Sequence, residues 1–479
     1  MSPIDRLSPL HDRSTRVSQV ERPFSRRRLI RAALGTAVSA GVGLLAACGA
    51  ASTGTGVGAD PPGRPDGKPR LNTGATLFFM NSMGGPYAGV MEEWATSFRD
   101  RTGVKVETSP GTQDFANKLD SSFASGTPPD IFIYHQERVP IVTAVERKML
   151  LRIDSYVKRD HYDLADFRKD AIELNRWKGG LYALPRDYGL QLLFYNVDHF
   201  RRAGIKPPPA SWQDRAWTFA ALLDAAKQLT VRSGGETTQW ALRVNRAWRP
   251  WASFVYSNGG AVVNRSADGL ATGFALHEPA AVEALQFVQD LMYRHHVAPT
   301  PDEEKAIGGW QPEFQAGRLS MFITNPGVNN WFRPNAGVPY DVGVFPLGPS
   351  GRRRGVGGGG TGWGAAAPTK HPEEAWAFMA HITSPEGQLV EVKVGQTTPS
   401  RTSVVTGPEY LDPSQPPEHK RAFADGQDYV VRDPVAVQWP DAQRDVLNAA
   451  LNERFWSGKE TAAQVANTIR EQGSSYFKS

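Results

Sequence analysis

Five tryptophans in polar or turn settings, Trp248, Trp251, Trp310, Trp331 and Trp363, are the side chains best suited to hold a flat, hydroxyl-rich molecule. Aromatic faces cover the C–H faces of sugar rings, while carboxylates, amides and arginines take the hydroxyls. Trp94 and Trp376 stand in apolar helical patterns and read as core. Trp331 closes the turn-prone run Asn325–Asn330, and Trp363 stands between Gly362 and Gly364, whose missing Cβ atoms allow close approach. Polar candidates gather elsewhere. Pro185 and Gly189 bracket the kink Arg186-Asp187-Tyr188 between two apolar segments. Asn81 and Ser82, and Tyr134 with Glu137 and Arg138, follow segments that read as strands.

Familiar catalytic patterns are missing. The chain has no H-E-x-x-H, no G-x-S-x-G, no phosphate loop and no cysteine in a nucleophile setting. His295-His296 and His277-Glu278 are too isolated for zinc, which needs three or four convergent ligands. Neither a metal nor a cofactor is therefore expected. A glycosidase needs two cleft carboxylates, and Asp187 with Glu137 would supply them, so hydrolysis stays open beside pure binding. Gly355–Gly360 satisfies G-x-G-x-x-G, but no helix follows it and a dinucleotide reading fails.

The elements that must position these residues alternate. Ala75–Met80 reads as a strand and Tyr87–Arg101 as a helix stopped by Gly103. Val104–Thr108, Phe115–Ser125 and Ile131–Tyr134 follow as strand, helix and strand. That order predicts an α/β fold with mostly parallel sheets, and ligands of such sheets sit beyond the carboxyl ends of the strands. Further helices are expected at Trp217–Leu229, Trp248–Ser257 and Pro279–Arg294, with strands at Leu319–Thr324 and Tyr340–Phe345. The arginine- and glycine-rich stretch 351–362 reads as a mobile crossing.

Charge and length narrow the classes. The 479 residues exceed one ordinary core, so two or three packing units are expected. The formal charge is +5, but residues 1–47 hold eight arginines against three acids, leaving 46 bases and 46 acids in the rest. A balanced body gives no reason to expect nucleic-acid binding. Ser25–Arg31, with Arg26 and Arg27, resembles a twin-arginine export box, and an apolar run to Ala47 follows. Leu45-Ala46-Ala47-Cys48 resembles a bacterial lipoprotein box. It implies cleavage before Cys48, the only cysteine, and acylation of its thiol. Residues 48–72 then read as a lipidated flexible tether behind a signal peptide at 1–47.

The order of local features over roughly 75–401 resembles family 1 extracellular solute-binding proteins, the sugar-binding components of ABC importers. The matching pieces are Ala124–Ile131, Leu181–Pro185 with Leu193–Asp198, Phe314–Phe322, Gly362-Trp363-Gly364, Ala375–Phe378 with Ser384-Pro385-Glu386, and Pro399-Ser400-Arg401. The resemblance implies a two-lobed, periplasmic-binding-protein-like fold of type II with hinge crossings. Lobe 1 would be 73–186 and 361–400, and lobe 2 187–360 and 401–479. It also implies a non-enzymatic monomer anchored outside the cytoplasmic membrane, taking a sugar or oligosaccharide to ABC permease subunits. A polyol phosphate or another solute is the alternative cargo. The candidate ligand set is Asn81, Ser82, Tyr134, Glu137, Arg138, Asp187, Tyr188, Trp251, Asn330, Trp331, Trp363 and Arg401. Trp251 enters because it precedes Ser253–Gly260, a piece similar to the family segment whose start faces the cleft, and Arg401 because it stands at the third crossing.

Overall fold

The helical spacing of Val90, Met91, Trp94 and Phe98 is realised as the helix Tyr87–Thr102, which buries all four together with Tyr87. Gly103, at φ +77°, ends it in the left-handed conformation that only glycine adopts without steric cost. A computed structural model describes residues 71–477 apart from Pro86, Pro110, Thr112, Gln113, 136–138, Ala336 and Gln396. Arg26, Arg27, Cys48 and the tether up to residue 70 lie outside the described residues, and so do Glu137 and Arg138.

Two five-stranded sheets carry the chain. In the first, the order is Lys105–Thr108, Thr76–Met80, Ile131–His135, Thr361–Ala365, Leu184–Pro185. Its first three strands are parallel, as the β-α-β-α-β pattern requires, and the other two each run antiparallel to the strand before them. In the second, the order is Tyr340–Gly343, Leu192–Asn196, Leu319–Thr324, Glu236–Arg243, Val231–Ser233. There Leu319–Thr324 and Glu236–Arg243 are parallel, while Leu192–Asn196 opposes both of its neighbours. The mostly parallel pairing expected is thus corrected to a mixed one: strands that arrive by a lobe crossing enter antiparallel.

Each sheet has its own apolar core. One gathers side chains from 75–184 and 363–390, including Phe79, Trp94, Phe132 and Phe378. The other gathers side chains from 190–356 and 422–469, including Phe194, Phe254, Phe322 and Leu447. The helix Phe219–Leu229 belongs to the second. It begins two residues later than its apolar pattern suggests, because the Thr218 hydroxyl caps it by accepting from the Ala221 N–H.

A third, small sheet joins the two, in the order Val430–Arg432, Val356–Gly359, Gly189–Leu190. The chain passes from the first sheet through Gly189–Leu190 into the second, and returns through Val356–Gly359 into Thr361–Ala365. The third passage is less direct. Asp187 pairs with Pro399 and Phe167 with Arg401. Beyond them Val404, Val405 and Tyr410 pack with Val392 in a small cluster of their own. The second core resumes at Ala422 and Phe423. The chain therefore leaves the first lobe between Tyr410 and Ala422, later than the expected change at Arg401. Among the described residues, no helix is long and apolar enough to cross a membrane.

Candidate functional site

The joint between the cores is built on Asp187. Its Oδ1 accepts from the Thr361 backbone N–H at 2.6 Å and the Thr361 hydroxyl at 3.0 Å. Its Oδ2 accepts from Arg186 at 2.8 Å and the Thr397 hydroxyl at 2.9 Å. Arg186 in turn meets the buried Glu391 carboxylate at 2.6 Å, and the Tyr87 hydroxyl donates to the same oxygen at 2.6 Å. The glycines of the second crossing serve this packing. A Cβ on Gly357 would meet the Arg249 backbone, one on Gly358 the Gly189 carbonyl, and one on Gly360 the Asp187 carbonyl. Val356–Gly359 is thus a buried strand, and the mobile crossing expected from the glycine run is corrected. The missing side chains let three backbones close on one another.

Beyond the carboxyl ends of the first-lobe strands, Asn81 shapes its own loop. Its amide donates to the Ser109 carbonyl at 3.1 Å and accepts from the Met83 N–H at 2.6 Å, and the residue is buried. Ser82, half-buried beside it, bonds His135 Nε2 at 2.7 Å. In the second lobe the parallel strands end near Asn245, whose amide donates to the Ile323 carbonyl at 3.0 Å and ties the loop after Glu236–Arg243 to the end of Leu319–Thr324. Asn330 and Trp331 follow on the helix Asn329–Asn335, both half-buried, with the Trp331 ring 5.0 Å from Phe332. Arg249 grips both oxygens of Asp433, and the Trp248 indole N–H donates to Asp433 at 3.0 Å.

Several candidates turn inward. Trp363 is wholly buried in the first core, edge-on to Phe79 at 4.9 Å and to Trp94 at 5.8 Å. Its expected place in a cleft is corrected to core. Its glycine neighbours make room for other side chains: a Cβ on Gly362 would strike Tyr134 and Asn175, and one on Gly364 would strike Leu150. Trp251 is core too, edge-on to Trp248 at 5.2 Å in the second lobe. Tyr134 is fully buried and donates to the Leu174 carbonyl at 3.0 Å. Tyr188 is fully buried against Ala171, Leu174 and Val430, and that burial pushes its phenol well above the usual tyrosine range. Arg401, 3% exposed, is spent on structure. It reaches the Thr383 carbonyl at 2.6 Å, Asp166 at 3.1 Å and the Tyr162 hydroxyl at 2.9 Å, over the Phe167 ring. Asp187 has both oxygens occupied, which removes it from a carboxylate pair with Glu137. Of the described candidates, Ser82, Asp187, Asn330 and Trp331 stay partly exposed, and of these Asp187 has its oxygens taken up by the joint.

A cavity of about 1040 Å³ opens between first-lobe residues 169–179 and second-lobe residues 265–270 and 430–435. None of the sequence candidates lines it. Trp177, Arg265 and Arg432 do, and short-range patterns gave no sign of them, because residues so far apart in the chain meet only in the fold.

The family described as bacterial extracellular solute-binding protein matches residues 81–389. The chain belongs to that family. A binding protein of Brucella abortus is 27% identical over 265 residues, 55% of this chain and 60% of its own length. Two of the solved structures that share the fold illustrate the match. The Listeria monocytogenes ABC substrate-binding protein in complex with cycloalternan superposes with a TM-score of 0.73 at 22% identity, covering 84% of this chain and 98% of its own. UgpB of Mycobacterium tuberculosis in complex with glycerophosphocholine gives 0.71 at 18% identity, over 84% and 98%. The two-lobed periplasmic-binding-protein architecture is therefore that of this chain, and its family is one of binding proteins.

Proposed function

We propose that this chain is the exported, lipid-anchored receptor of an ABC importer, taking a sugar or oligosaccharide between its lobes without turning it over and delivering it to the permease. The observation that carries the reading is the joint: two separate cores, connected through a three-stranded sheet and crossings that meet at one carboxylate. A few backbone torsions there can move two rigid bodies. Solute that touches both bodies favours the closed arrangement in proportion to its differential affinity. We place the ligand contacts at Ser82, Asn330 and Trp331, together with Glu137 and Arg138, which follow Ile131–His135 in sequence. The Trp331 face would cover a sugar ring and the amides would take its hydroxyls.

A thermal-shift panel on the full chain tests the cargo, using maltose, maltotriose, a cyclic glucan, arabino-oligosaccharides, glycerol 3-phosphate and glycerophosphocholine. A ligand at about a hundred times its Kd adds roughly 2.7 kcal/mol of stability. At least one carbohydrate should raise the melting temperature. Shifts from the two phosphate compounds alone would move the cargo to polyol phosphates. The anchor is tested separately: Cys48→Ala should leave the membrane fraction or remain unprocessed, and processed protein still membrane-bound would refute lipidation.

A further inference from the structure

We infer that Asp187 is a positioning residue whose carboxylate ties the feet of the first two interlobe passages to the Thr397 stretch of the first lobe and so sets the angle between the lobes when no solute is present. The first crossing supplies Asp187 itself and Arg186, the second Thr361, and the stretch leading to the third Thr397. Four hydrogen bonds converge on two oxygens, so neither oxygen has capacity left for a solute hydroxyl without breaking one of them. Backbone pairing repeats the link on both sides. The Arg186 N–H donates to the Thr361 carbonyl at 3.0 Å, and the Tyr188 N–H to the Thr398 carbonyl at 3.1 Å.

The clamp is also anchored on the first lobe alone. Arg186 runs from Asp187 to Glu391 on the helix Pro385–Lys393, and Gln388 of the same helix donates to the Ser400 hydroxyl at 2.7 Å. The clamp therefore moves with the first lobe, and the second lobe pivots on the residues beyond it: Gly189–Leu190, Val356–Gly359 and the passage after Tyr410. A small change at Asp187 acts on the first two pivots together, because Asp187 and Thr361 stand at their first-lobe ends. That this angle tunes solute affinity rests on the receptor reading above; the angle itself does not.

The test needs no ligand. In the full chain carrying Cys48→Ser, the exposed Glu92 on one lobe and Lys227 on the other are replaced by cysteine and spin-labelled. Their distance distribution is read by pulsed electron resonance beside a melting curve. Asp187→Ala should at least double the width of the distribution or add a second population, while melting remains cooperative. Thr397→Val, which frees only the third strand of the clamp, should broaden it less and serves if Asp187→Ala fails to fold. A folded variant of either kind whose distribution superimposes on that of the parent overturns the proposal, even with a lowered melting temperature.

Discussion

Trp363 is wholly buried and Asp187 half-buried, and they are held in opposite ways. Trp363 is fixed by rings and by the glycines that admit them, with the Arg186 guanidinium 5.8 Å from its centroid. Asp187 is fixed by directional hydrogen bonds to groups far apart in sequence. Apolar contact is nondirectional and resists the loss of atoms by leaving a cavity, so a core keeps its shape. A hydrogen-bonded joint keeps its shape only while its geometry is satisfied. Here the polar joint sits at the crossings between the lobes and the close-packed cores inside each lobe.

The sharpest way to break this contrast is Trp363→Ala. Truncating a core tryptophan costs about 3–5 kcal/mol, read by urea denaturation, with little change in the ligand affinity of the remaining folded protein. Trp331→Ala should do the reverse, leaving stability nearly intact and weakening the best carbohydrate by roughly thirtyfold, about 2 kcal/mol. If Trp363→Ala were the one to lose affinity at unchanged stability, the core assignment would be wrong. Arg186→Met tests the polar side. It strands the Glu391 carboxylate, 1% exposed, and such a loss costs about 3–5 kcal/mol. A loss below about 1 kcal/mol would show that the Arg186–Glu391 contact contributes little.

Much of the architecture was legible. Helix Tyr87–Thr102, its stop at Gly103 and the parallel order of the first three strands follow from periodicity and turn chemistry, which act over a few residues. The crossing at Pro185–Gly189 was visible for the same reason. What stayed hidden depended on partners hundreds of residues away. Gly362 and Gly364 look like clearance for a ligand, and only the fold shows Tyr134, Asn175 and Leu150 pressing into that space. Arg401 stands at the end of a family-like motif, but its contacts are Asp166 and Thr383. The Arg249–Asp433 pair has no local signature at all.

A smaller effect separates the cores from the joint by pH. Burial, helped by Arg202 and Arg101, lowers the imidazoles of His199 and His381 from 6.5 to about 4. Between those values the unfolded chain takes up protons that the folded chain refuses. Their contribution to stability is therefore intact above about pH 6.5 and is lost progressively as pH falls toward 4. Urea titrations at pH 7.5, 6 and 5 should show this fall, and His199→Gln with His381→Gln should flatten it. An unchanged slope in the double variant would assign the acid sensitivity to other groups.

The central claim, that solute binds between lobes that move about the Asp187 joint, is tested most directly by the same spin-label pair with and without a saturating carbohydrate from the thermal panel. A shift to one narrow interlobe distance on binding, with Asp187→Ala altering the unliganded distribution most, is the predicted result. Calorimetrically tight binding that leaves the distance distribution unchanged would contradict it.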